Sequence, residues 1–325
     1  MLNFCTLFDS NYLTRGLAMY ESLKKHCVDF HLYIFAFDDK VLNILRELKL
    51  EKVTIISLSK FEDKKLLEIK PSRGKGEYCW TCTPSVILYV LKNYPVDNCT
   101  YLDADIYFFS NPKILIDEMG DKSVLITDHR YSKEFDQSEI SGKYCVQFVT
   151  FKKNENGLKV LNWWRDACID WCYNRVEDGK FGDQKYLDDW TTRFNSVYEL
   201  QNLGGGVAPW NVNQYFLIKN GDQITGKEIA SNQELQLVFY HFHSLKFIDN
   251  NLVQLADKKY KLSDQTKELI YKPYLQSIKF LVGSINKKFG KNFINQKELK
   301  FDFIKKIKLI FFGKKRNIIN QNNLF

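Results

Sequence analysis

The first 58 residues alternate between short apolar segments and amphipathic ones, and this alternation constrains the fold more than any other feature. Apolar runs at 3–8, 31–37 and 52–58 predict buried strands. Between them, 13–25 and 41–48 carry apolar residues at helical spacing. Parallel neighbours need crossover connections of this kind, so the order predicts a mostly parallel central sheet with helices on both faces, a Rossmann-like α/β fold.

The rest of the chain continues the pattern less regularly. The further predicted elements are helix 83–93, an interrupted strand 98–109, strands 124–127 and 146–151, helices 158–173 and 181–190, and strand 235–243. Thr83-Pro84 is typical of an N-cap followed by the first helical residue. From about Asp264 the pattern is helical and basic. We therefore expect a catalytic domain at 1–263 and a basic, amphipathic helical extension at 264–325.

Basic charge is concentrated at the C-terminal end. The formal net charge of the chain is +8. Residues 279–316 hold twelve Lys or Arg against Glu298 and Asp302, a net of +10, so the remainder is nearly neutral. A nucleic-acid-binding domain usually carries its basic charge across the body, and we expect no nucleic-acid partner.

The same basic segment carries an imperfect apolar stripe. Its members at helical spacing are Leu299, Phe303, Ile307 and Ile310. A helix of this kind lies on an anionic membrane surface, with apolar residues in the acyl boundary and lysines on the headgroups. A basic tail packed on the domain, or an RNA-binding extension, is the alternative.

The eight cysteines all lie before residue 173. A strand pattern begins at Asn3, which leaves no room for a signal peptide, and no apolar run reaches the roughly 18–20 residues that span a bilayer. Such a chain is typical of a reduced cytoplasmic protein with free thiols. Cys79-Trp80-Thr81-Cys82 has no second cysteine pair at zinc-binding spacing, so we expect neither a zinc site nor a redox role there.

Two aspartates, Asp103 and Asp105, interrupt the strand predicted at 98–109. Because they are two residues apart, they point to the same side of the sheet. The crevice beyond the strand ends is where α/β sheets bind ligands. Carboxylate oxygens suit a hard divalent cation that also bridges diphosphate oxygens. The pair predicts a metal site, with a solvated acidic loop as the alternative.

Two histidines end the last predicted strand of the domain. Alternation along Tyr240-His241-Phe242-His243 places both imidazoles on one face. An imidazole completes a metal's protein ligands, and Lys246 supplies a point charge for a phosphate. Two hydrogen-bonded core histidines are the alternative.

A glycine-rich loop, Gly204-Gly205-Gly206, precedes Trp210 by four residues. It lacks the glycine spacing of either phosphate-binding fingerprint. A flexible loop followed by a tryptophan suits a sugar platform, and a tight connection with a packed tryptophan is the alternative.

With its motifs in this order, the chain resembles nucleotide-sugar glycosyltransferases of the GT-A fold, in the branch of glycogenin and the bacterial lipopolysaccharide galactosyltransferases. The resemblance covers about residues 3–250. It implies that Asp103, Asp105 and His241 bind Mn²⁺ or Mg²⁺, with His243 as the fallback ligand. It also implies that Asp183-Gln184 is the catalytic pair beside the donor sugar. A structural aspartate at a helix N-terminus is the alternative for Asp183.

The resemblance further implies a nucleotide-binding loop after the first strand. In Leu7-Phe8-Asp9-Ser10-Asn11-Tyr12, Asp9 would accept from the base and Asn11 would contact the ribose. The residues assigned in this way to the bound donor are Thr6, Leu7, Asp9, Asn11, Arg15, Asp103 and Lys246.

Three segments depart from the family pattern. The Asn-x-Gly strand of the family stands here as Cys145-Val146-Gln147. The Lys or Arg of the helix before the aspartates is replaced within Tyr78-Cys79-Trp80-Thr81-Cys82. Lys246-Phe247 stands where the family has Lys-Pro-Trp. The resemblance is therefore to the superfamily more than to one activity.

The expected function is metal-dependent transfer of a sugar from a nucleotide-diphosphate sugar, favoured as a UDP-sugar, to a glycan or lipid-linked acceptor with retention. We expect the enzyme in the cytoplasm, peripheral on the inner face of the membrane. A sugar-phosphate nucleotidyltransferase is one alternative, but it needs a Gly-rich, basic loop after the first strand, unlike residues 9–14. A non-catalytic nucleotide-sugar or glycan-binding protein is another, and it would not need the metal-binding residues.

Overall fold

A computed structural model of the chain describes residues 1–248, 252–290 and 317–320. The strands are β1 (Leu2–Phe8), β2 (Phe30–Ala36), β3 (Val53–Ser57), β4 (Asn98–Leu102), β5 (Ile106–Phe108), β6 (Val124–Asp128), β7 (Tyr144–Lys152), β8 (Val197–Glu199), β9 (Tyr215–Asn220), β10 (Gln223–Glu228), β11 (Glu234–Gln236), β12 (Phe239–His241), β13 (Lys246–Phe247), β14 (Leu252–Gln254) and β15 (Ile318–Asn320).

The α-helices among the described residues surround these strands. They are α1 (Leu13–His26), α2 (Asp39–Leu48), α3 (Leu58–Phe61), α4 (Lys64–Ile69), α5 (Lys75–Asn93), α6 (Lys113–Asp117), α7 (Ser138–Ser141), α8 (Glu155–Asp170), α9 (Trp190–Arg193), α10 (Asp264–Thr266) and α11 (Lys272–Phe289). A π-helical turn at Lys267–Tyr271 joins α10 to α11.

The central sheet has seven strands in the order β3-β2-β1-β4-β7-β6-β8. The first four strands of this order are mutually parallel, and β6 pairs with β8 in parallel. β7 is antiparallel to both β4 and β6. The predicted mostly parallel α/β sheet is confirmed, and its carboxyl edge is formed where β1 and β4 end.

Alternate residues of the sheet enter two separate apolar cores. On β1, Phe4 packs into the core that contains α1, α2 and α11. Cys5 and Leu7 face the opposite core, which contains α5 and α8. This period of two is what a strand buried on both faces requires, and it places helices on both sides of the sheet as expected.

Helix α5 begins eight residues before the predicted N-cap, so that assignment of Thr83-Pro84 is wrong. The backbone N–H of Gly74 donates to Glu77 Oε2 at 2.7 Å, which caps the helix instead. Pro84 lies inside α5. Its neighbours along the helix are buried, and α5 packs against β1 and α8. Tertiary packing therefore maintains the helix through a proline that removes one of its backbone hydrogen bonds.

The segment predicted as helix 181–190 is mostly irregular. It contains a 3₁₀ turn at Lys185–Leu187, and α9 starts only at its last residue. Gly182 has a φ of +54°, which stops helical continuation. The strand predicted at 235–243 is also divided, into β11 and β12.

Helix α11 packs its apolar stripe into the main core against α1. The buried residues of that stripe are Tyr274, Leu275, Ile278, Leu281 and Ile285. The domain boundary predicted at 263/264 falls before this helix. The predicted membrane-surface stripe from Leu299 to Ile310 lies outside the described residues. Within the described part of the chain, no helix has the length and apolarity to cross a membrane.

Candidate active site

A cleft of about 770 Å³ opens at the carboxyl edge of β1 and β4. The predicted site residues that line it are Leu7, Asp9, Asn11, Asp103, Asp105, Asp183, Gln184 and His241. Three further predicted residues, Thr6, Arg15 and Lys246, lie outside its lining. Most of the residues proposed from the sequence are therefore brought together in one place.

Asp103 and Asp105 lie in the short connection between β4 and β5, and His241 ends β12. β12 pairs antiparallel with β5, which aligns His241 with Ile106. His241 Nε2 is 3.2 Å from Asp105 Oδ1 and 3.8 Å from Asp103 Oδ2. One ligand atom from each residue lies within 4.8 Å of the others, and the described residues hold no other group of three such ligands.

The electrostatics of this group are those of two half-buried carboxylates that share one buried imidazole. Burial raises the pKa of Asp103 to about 6, with His241 opposing the rise and Asp105 adding to it. Burial also raises the pKa of Asp105, but the attraction and hydrogen bond of His241 outweigh it and bring that pKa down to about 2. Burial lowers the pKa of His241, but both carboxylates hold it well above its ordinary value.

The donor set fits a divalent cation. Two carboxylates and one imidazole converge with more negative than positive charge, and a cation between the same atoms would replace the proton that His241 otherwise holds. Two of the three ligands also form hydrogen bonds with residues behind them. The Tyr101 hydroxyl donates to Asp103 Oδ1 at 3.1 Å, and Gln147 Oε1 lies 2.7 Å from His241 Nδ1. Neighbours of this kind fix the orientation of metal ligands.

His243, the fallback ligand, lies beside this group. Its ring centroid is 5.7 Å from that of His241, and it lines the cleft without joining the three-residue group. The imidazole of His241 is the one that faces both aspartates.

Asp183 is almost fully buried in the lining of the cleft. The indole N–H of Trp164 donates to its backbone oxygen at 2.9 Å, which fixes the segment. Burial raises the pKa of its carboxyl to about 7, Asp103 adds to the rise, and a hydrogen bond from Thr83 opposes it. This carboxyl therefore changes charge near neutral pH, as a proton-exchanging group would.

Gln184 lines the cleft next to Asp183. Its side-chain nitrogen donates to the backbone oxygen of Ser141 at 2.6 Å. That bond fixes the amide and leaves its oxygen as the group available to a ligand.

The predicted nucleotide loop forms a compact turn after β1. Asp9 Oδ1 accepts from the backbone N–H of Asn11 at 2.9 Å, and Asp9 Oδ2 accepts from Asn11 Nδ2 at 2.7 Å. Ser10 is held from outside by Asp38 Oδ2 at 2.8 Å. Asp9 and Asn11 thus line the cleft while bonded to each other, a local Asx arrangement.

The three residues outside the lining have other surroundings. Thr6 is fully buried in β1. Arg15 donates to the backbone oxygen of Leu245 at 3.0 Å and stacks 4.5 Å from the Tyr12 ring, so it connects α1 to the segment after β12. Lys246 is exposed on β13. Two other lysines, Lys75 and Lys259, line the cleft instead.

The sequence indicated no role for Lys75, Lys259, Tyr101 or Gln147, although Gln147 lies in a segment that departs from the family pattern. Lys75 is the first residue of α5, which the sequence placed too late. Lys259 lies in irregular structure after β14, where no periodicity is available. Tyr101 and Gln147 read as ordinary strand residues, and only the pairing of β4 with β7 brings Gln147 opposite the aspartates.

The glycine-rich loop is a tight connection. Gly206 has a φ of +90°, and a Cβ there would lie 2.8 Å from Thr127 Cγ2. Trp210 is 3% exposed and donates its indole N–H to the backbone oxygen of His129 at 2.8 Å. The packed-tryptophan alternative is therefore favoured, although one part of Trp210 reaches the cleft lining.

The Cys-x-x-Cys pair lies within α5. All eight cysteines are free thiols, and Cys82 is buried while Cys79 is partly exposed in the cleft. Burial raises the pKa of Cys79 to about 12, which disfavours its thiolate.

Comparisons with known proteins identify sequence relatives of this chain. No protein-family model matches the sequence. The chain is 30% identical to the uncharacterized protein YfnD of Bacillus subtilis (strain 168) over 292 residues, which is 88% of this chain and 92% of YfnD. It is 29% identical over 260 residues to the uncharacterized protein YfnF of the same organism, 77% of this chain and 84% of YfnF.

Among solved structures, the chain is similar to the galactosyltransferase LgtC in complex with donor and acceptor sugar analogs. The TM-score is 0.51 and the identity 9%, with 86% of this chain and 96% of LgtC covered. The fold is thus the GT-A fold, as the motif resemblance implied. Within that fold class, the chain belongs to the family of YfnD from Bacillus subtilis.

Proposed function

We propose that the protein is a metal-dependent glycosyltransferase that uses a nucleotide-diphosphate sugar as donor. One observation carries the proposal: Asp103, Asp105 and His241 place three ligand atoms within 4.8 Å of one another in the cleft. The cleft lies where α/β sheets bind ligands, beyond the strand ends. The GT-A fold, shared with LgtC, supports the same conclusion.

The residues of the cleft divide the chemical work. A divalent cation, Mn²⁺ or Mg²⁺, supplies Lewis-acid neutralisation of the diphosphate leaving group. Asp103, Asp105 and His241 would hold it, and Asp9 and Asn11 would bind the nucleoside. Asp183 would orient the donor sugar or exchange a proton with the acceptor hydroxyl, since its carboxyl titrates near neutrality.

We further propose a UDP-sugar as donor, retention of configuration, and a glycan or lipid-linked acceptor. The support is the likeness in fold to LgtC, which was solved with donor and acceptor sugar analogs. A proton NMR time course of the released sugar distinguishes retention from inversion, because the first anomer formed reports the stereochemistry.

The proposal is tested by metal-dependent donor hydrolysis. A panel of nucleotide-sugars is incubated with the protein, with and without Mn²⁺, and thermal shift is recorded in parallel. We expect one nucleotide-sugar to be stabilising and slowly hydrolysed only when metal is present. Binding without hydrolysis by any donor would favour the non-catalytic alternative. Formation of nucleotide-sugar from a nucleoside triphosphate would favour a nucleotidyltransferase.

We propose a cytoplasmic location for this reaction, at an anionic membrane surface contacted by the basic segment 279–316. In its described part, Phe280 of α11 is 74% exposed beside Lys279. Cutting the chain at Lys272 would remove the buried stripe of α11, so charge substitution is the better test. The test variant replaces Lys305, Lys306 and Lys308 with Gln, and the control replaces the exposed Lys133, Lys219 and Lys227 with Gln.

Sedimentation with anionic liposomes at low and high salt measures this contact. We expect the full chain and the control to sediment at low salt, and the test variant to sediment less. A wild-type protein that never sediments, or a test variant that sediments equally, contradicts the membrane proposal.

A further inference from the structure

Gln147 lies behind the candidate metal group, on the side away from the cleft. It is fully buried in the middle of β7. The segment Cys145-Val146-Gln147 is one of the places where this chain departs from the family pattern. A residue in a segment that departs from the family pattern therefore lies next to the group on which the proposed function depends.

This one residue contacts two of the three candidate ligands. Its backbone oxygen accepts from the backbone N–H of Asp103 at 3.1 Å. Its side-chain Oε1 lies 2.7 Å from His241 Nδ1. Asp103 follows β4 and His241 ends β12, which are far apart in the sequence, so Gln147 connects ligands that the local chain does not connect.

The side-chain contact determines which nitrogen of His241 faces the aspartates as a ligand. An amide oxygen only accepts, so Nδ1 must carry the proton of this hydrogen bond. The other nitrogen, Nε2, is the one 3.2 Å from Asp105 Oδ1. With its proton displaced by a cation, Nε2 presents a lone pair to the metal while Nδ1–H remains bound to Gln147.

The rest of the amide indicates that Gln147 is not there for stability alone. Its Nε2 is buried and has no hydrogen-bond partner among the described residues. It packs against Gly206, where a Cβ would come within 3.2 Å of that nitrogen. A buried amide N–H without a partner is unfavourable for folding, so the useful half of this side chain is the oxygen on His241.

We propose that Gln147 is a positioning residue that selects the His241 tautomer and joins His241 to Asp103 in metal-binding geometry. The inference rests on the proposed function, because it needs a metal site at Asp103, Asp105 and His241. It adds that the metal affinity of this chain depends on a residue that does not touch the metal.

The test compares three variants of the full-length protein by titration with Mn²⁺, followed by electron paramagnetic resonance of free Mn²⁺. Gln147→Met removes the acceptor but keeps the length of the side chain. Gln147→Glu keeps an acceptor oxygen in the same place. Thr150→Val is the matched control, because it removes a buried hydrogen bond from the same strand, that between Thr150 and Thr100 at 2.8 Å.

We expect Gln147→Met to bind Mn²⁺ about tenfold to hundredfold more weakly than wild type, as for lost supports of other metal ligands. Gln147→Glu should recover most of the affinity, and Thr150→Val should bind as wild type does. Circular dichroism checks that each variant is folded. If the Met variant does not fold, Gln147→Asn is used, since it keeps the amide but cannot reach His241, and the same loss is expected.

Three results would contradict these expectations. Wild-type affinity in the folded Met or Asn variant overturns the role of Gln147. An equal loss in Thr150→Val assigns the effect to general weakening of β7 and overturns it too. No Mn²⁺ binding by wild type, alone or with UDP, overturns the proposed metal site itself, and the inference falls with it.

Discussion

The two sides of the cleft are built in opposite ways. On the metal side, the side chains of His241, Asp105 and Asp103 are 6%, 14% and 29% exposed, and His241 contacts both aspartates from another element. On the nucleotide side, Asn11 is exposed, and Asp9 forms its hydrogen bonds within the loop itself. The first arrangement is fixed before a ligand arrives, whereas the second must exchange its internal hydrogen bonds for those of a ligand.

This difference predicts where substitutions act. A buried, preorganised charge group stabilises the charge that develops in the transition state, so its loss lowers turnover. An exposed loop contributes binding that is similar in the ground state and the transition state, so its loss raises KM.

Asp105→Ala should lower the rate of sugar transfer or donor hydrolysis about 100-fold or more, because a metal ligand is removed from the preorganised side. The measurement is kcat with saturating donor and Mn²⁺. Asp121→Ala, at an exposed aspartate away from the cleft, is the control and should keep wild-type activity. Full activity of Asp105→Ala would show that turnover does not depend on the metal side of the cleft.

Asp183→Asn should change the pH dependence of stability in the metal-free protein. The pKa of this carboxyl is about 7 in the fold against an ordinary 3.8, so the folded state binds the proton more tightly. Stability from this group is therefore present at low pH and lost as pH rises from about 4 to 7. Between pH 5.5 and 8, wild type should lose about 2 kcal/mol more than the variant.

Urea unfolding at the two pH values measures this difference. The same variant should lose most of its transferase activity, because the group near the sugar is neutralised. If the free energies of unfolding of the two proteins change equally with pH, the pKa of the Asp183 carboxyl is not raised in the folded state.

Mn²⁺ affinity should rise with pH, most steeply below about pH 6 and less steeply above it. Asp103, with a pKa raised to about 6, and His241, with a pKa held well above its ordinary value, must both be deprotonated to bind metal. Each proton released makes affinity increase about tenfold per pH unit. Calorimetry at pH 6, 7 and 8 in two buffers of different ionisation enthalpy measures affinity and proton release together. A pH-independent affinity would place the metal elsewhere.

Asp9→Ala should weaken nucleotide binding about tenfold and leave kcat close to wild type, since a hydrogen bond to a charged group contributes about that much. Calorimetric titration with UDP in the presence of Mn²⁺ gives the affinity. Asp222→Ala, an exposed aspartate in the turn between β9 and β10, controls for loss of charge. An unchanged affinity for every nucleotide would show that the loop binds something else.

The sequence predicted the parts of the molecule that local periodicity determines. The three parallel strands of the first 58 residues and the aspartates after β4 were found because strand period and strand ends are visible locally. His241 was assigned through the family resemblance, and the structure brings it to the aspartates by pairing β12 with β5.

The remaining errors come from effects that depend on distant residues. Helix α5 continues through Pro84 because both flanks are packed in the core. Residues 181–190 are not helical because contacts from Tyr173 and Trp164 fix their backbone. Gln147 was passed over because its partner His241 lies 94 residues away. None of these effects leaves a periodic signal in the chain.

We propose that Asp103, Asp105 and His241 form one metal site that activates a nucleotide-sugar. The most direct test is a crystal of the protein grown with Mn²⁺ and UDP, measured for anomalous scattering by manganese. We expect a single strong peak about 2.2 Å from a carboxylate oxygen of each aspartate and from His241 Nε2, with diphosphate oxygens completing the coordination. A manganese peak elsewhere in the cleft, or bound UDP with no peak at these residues, would contradict it.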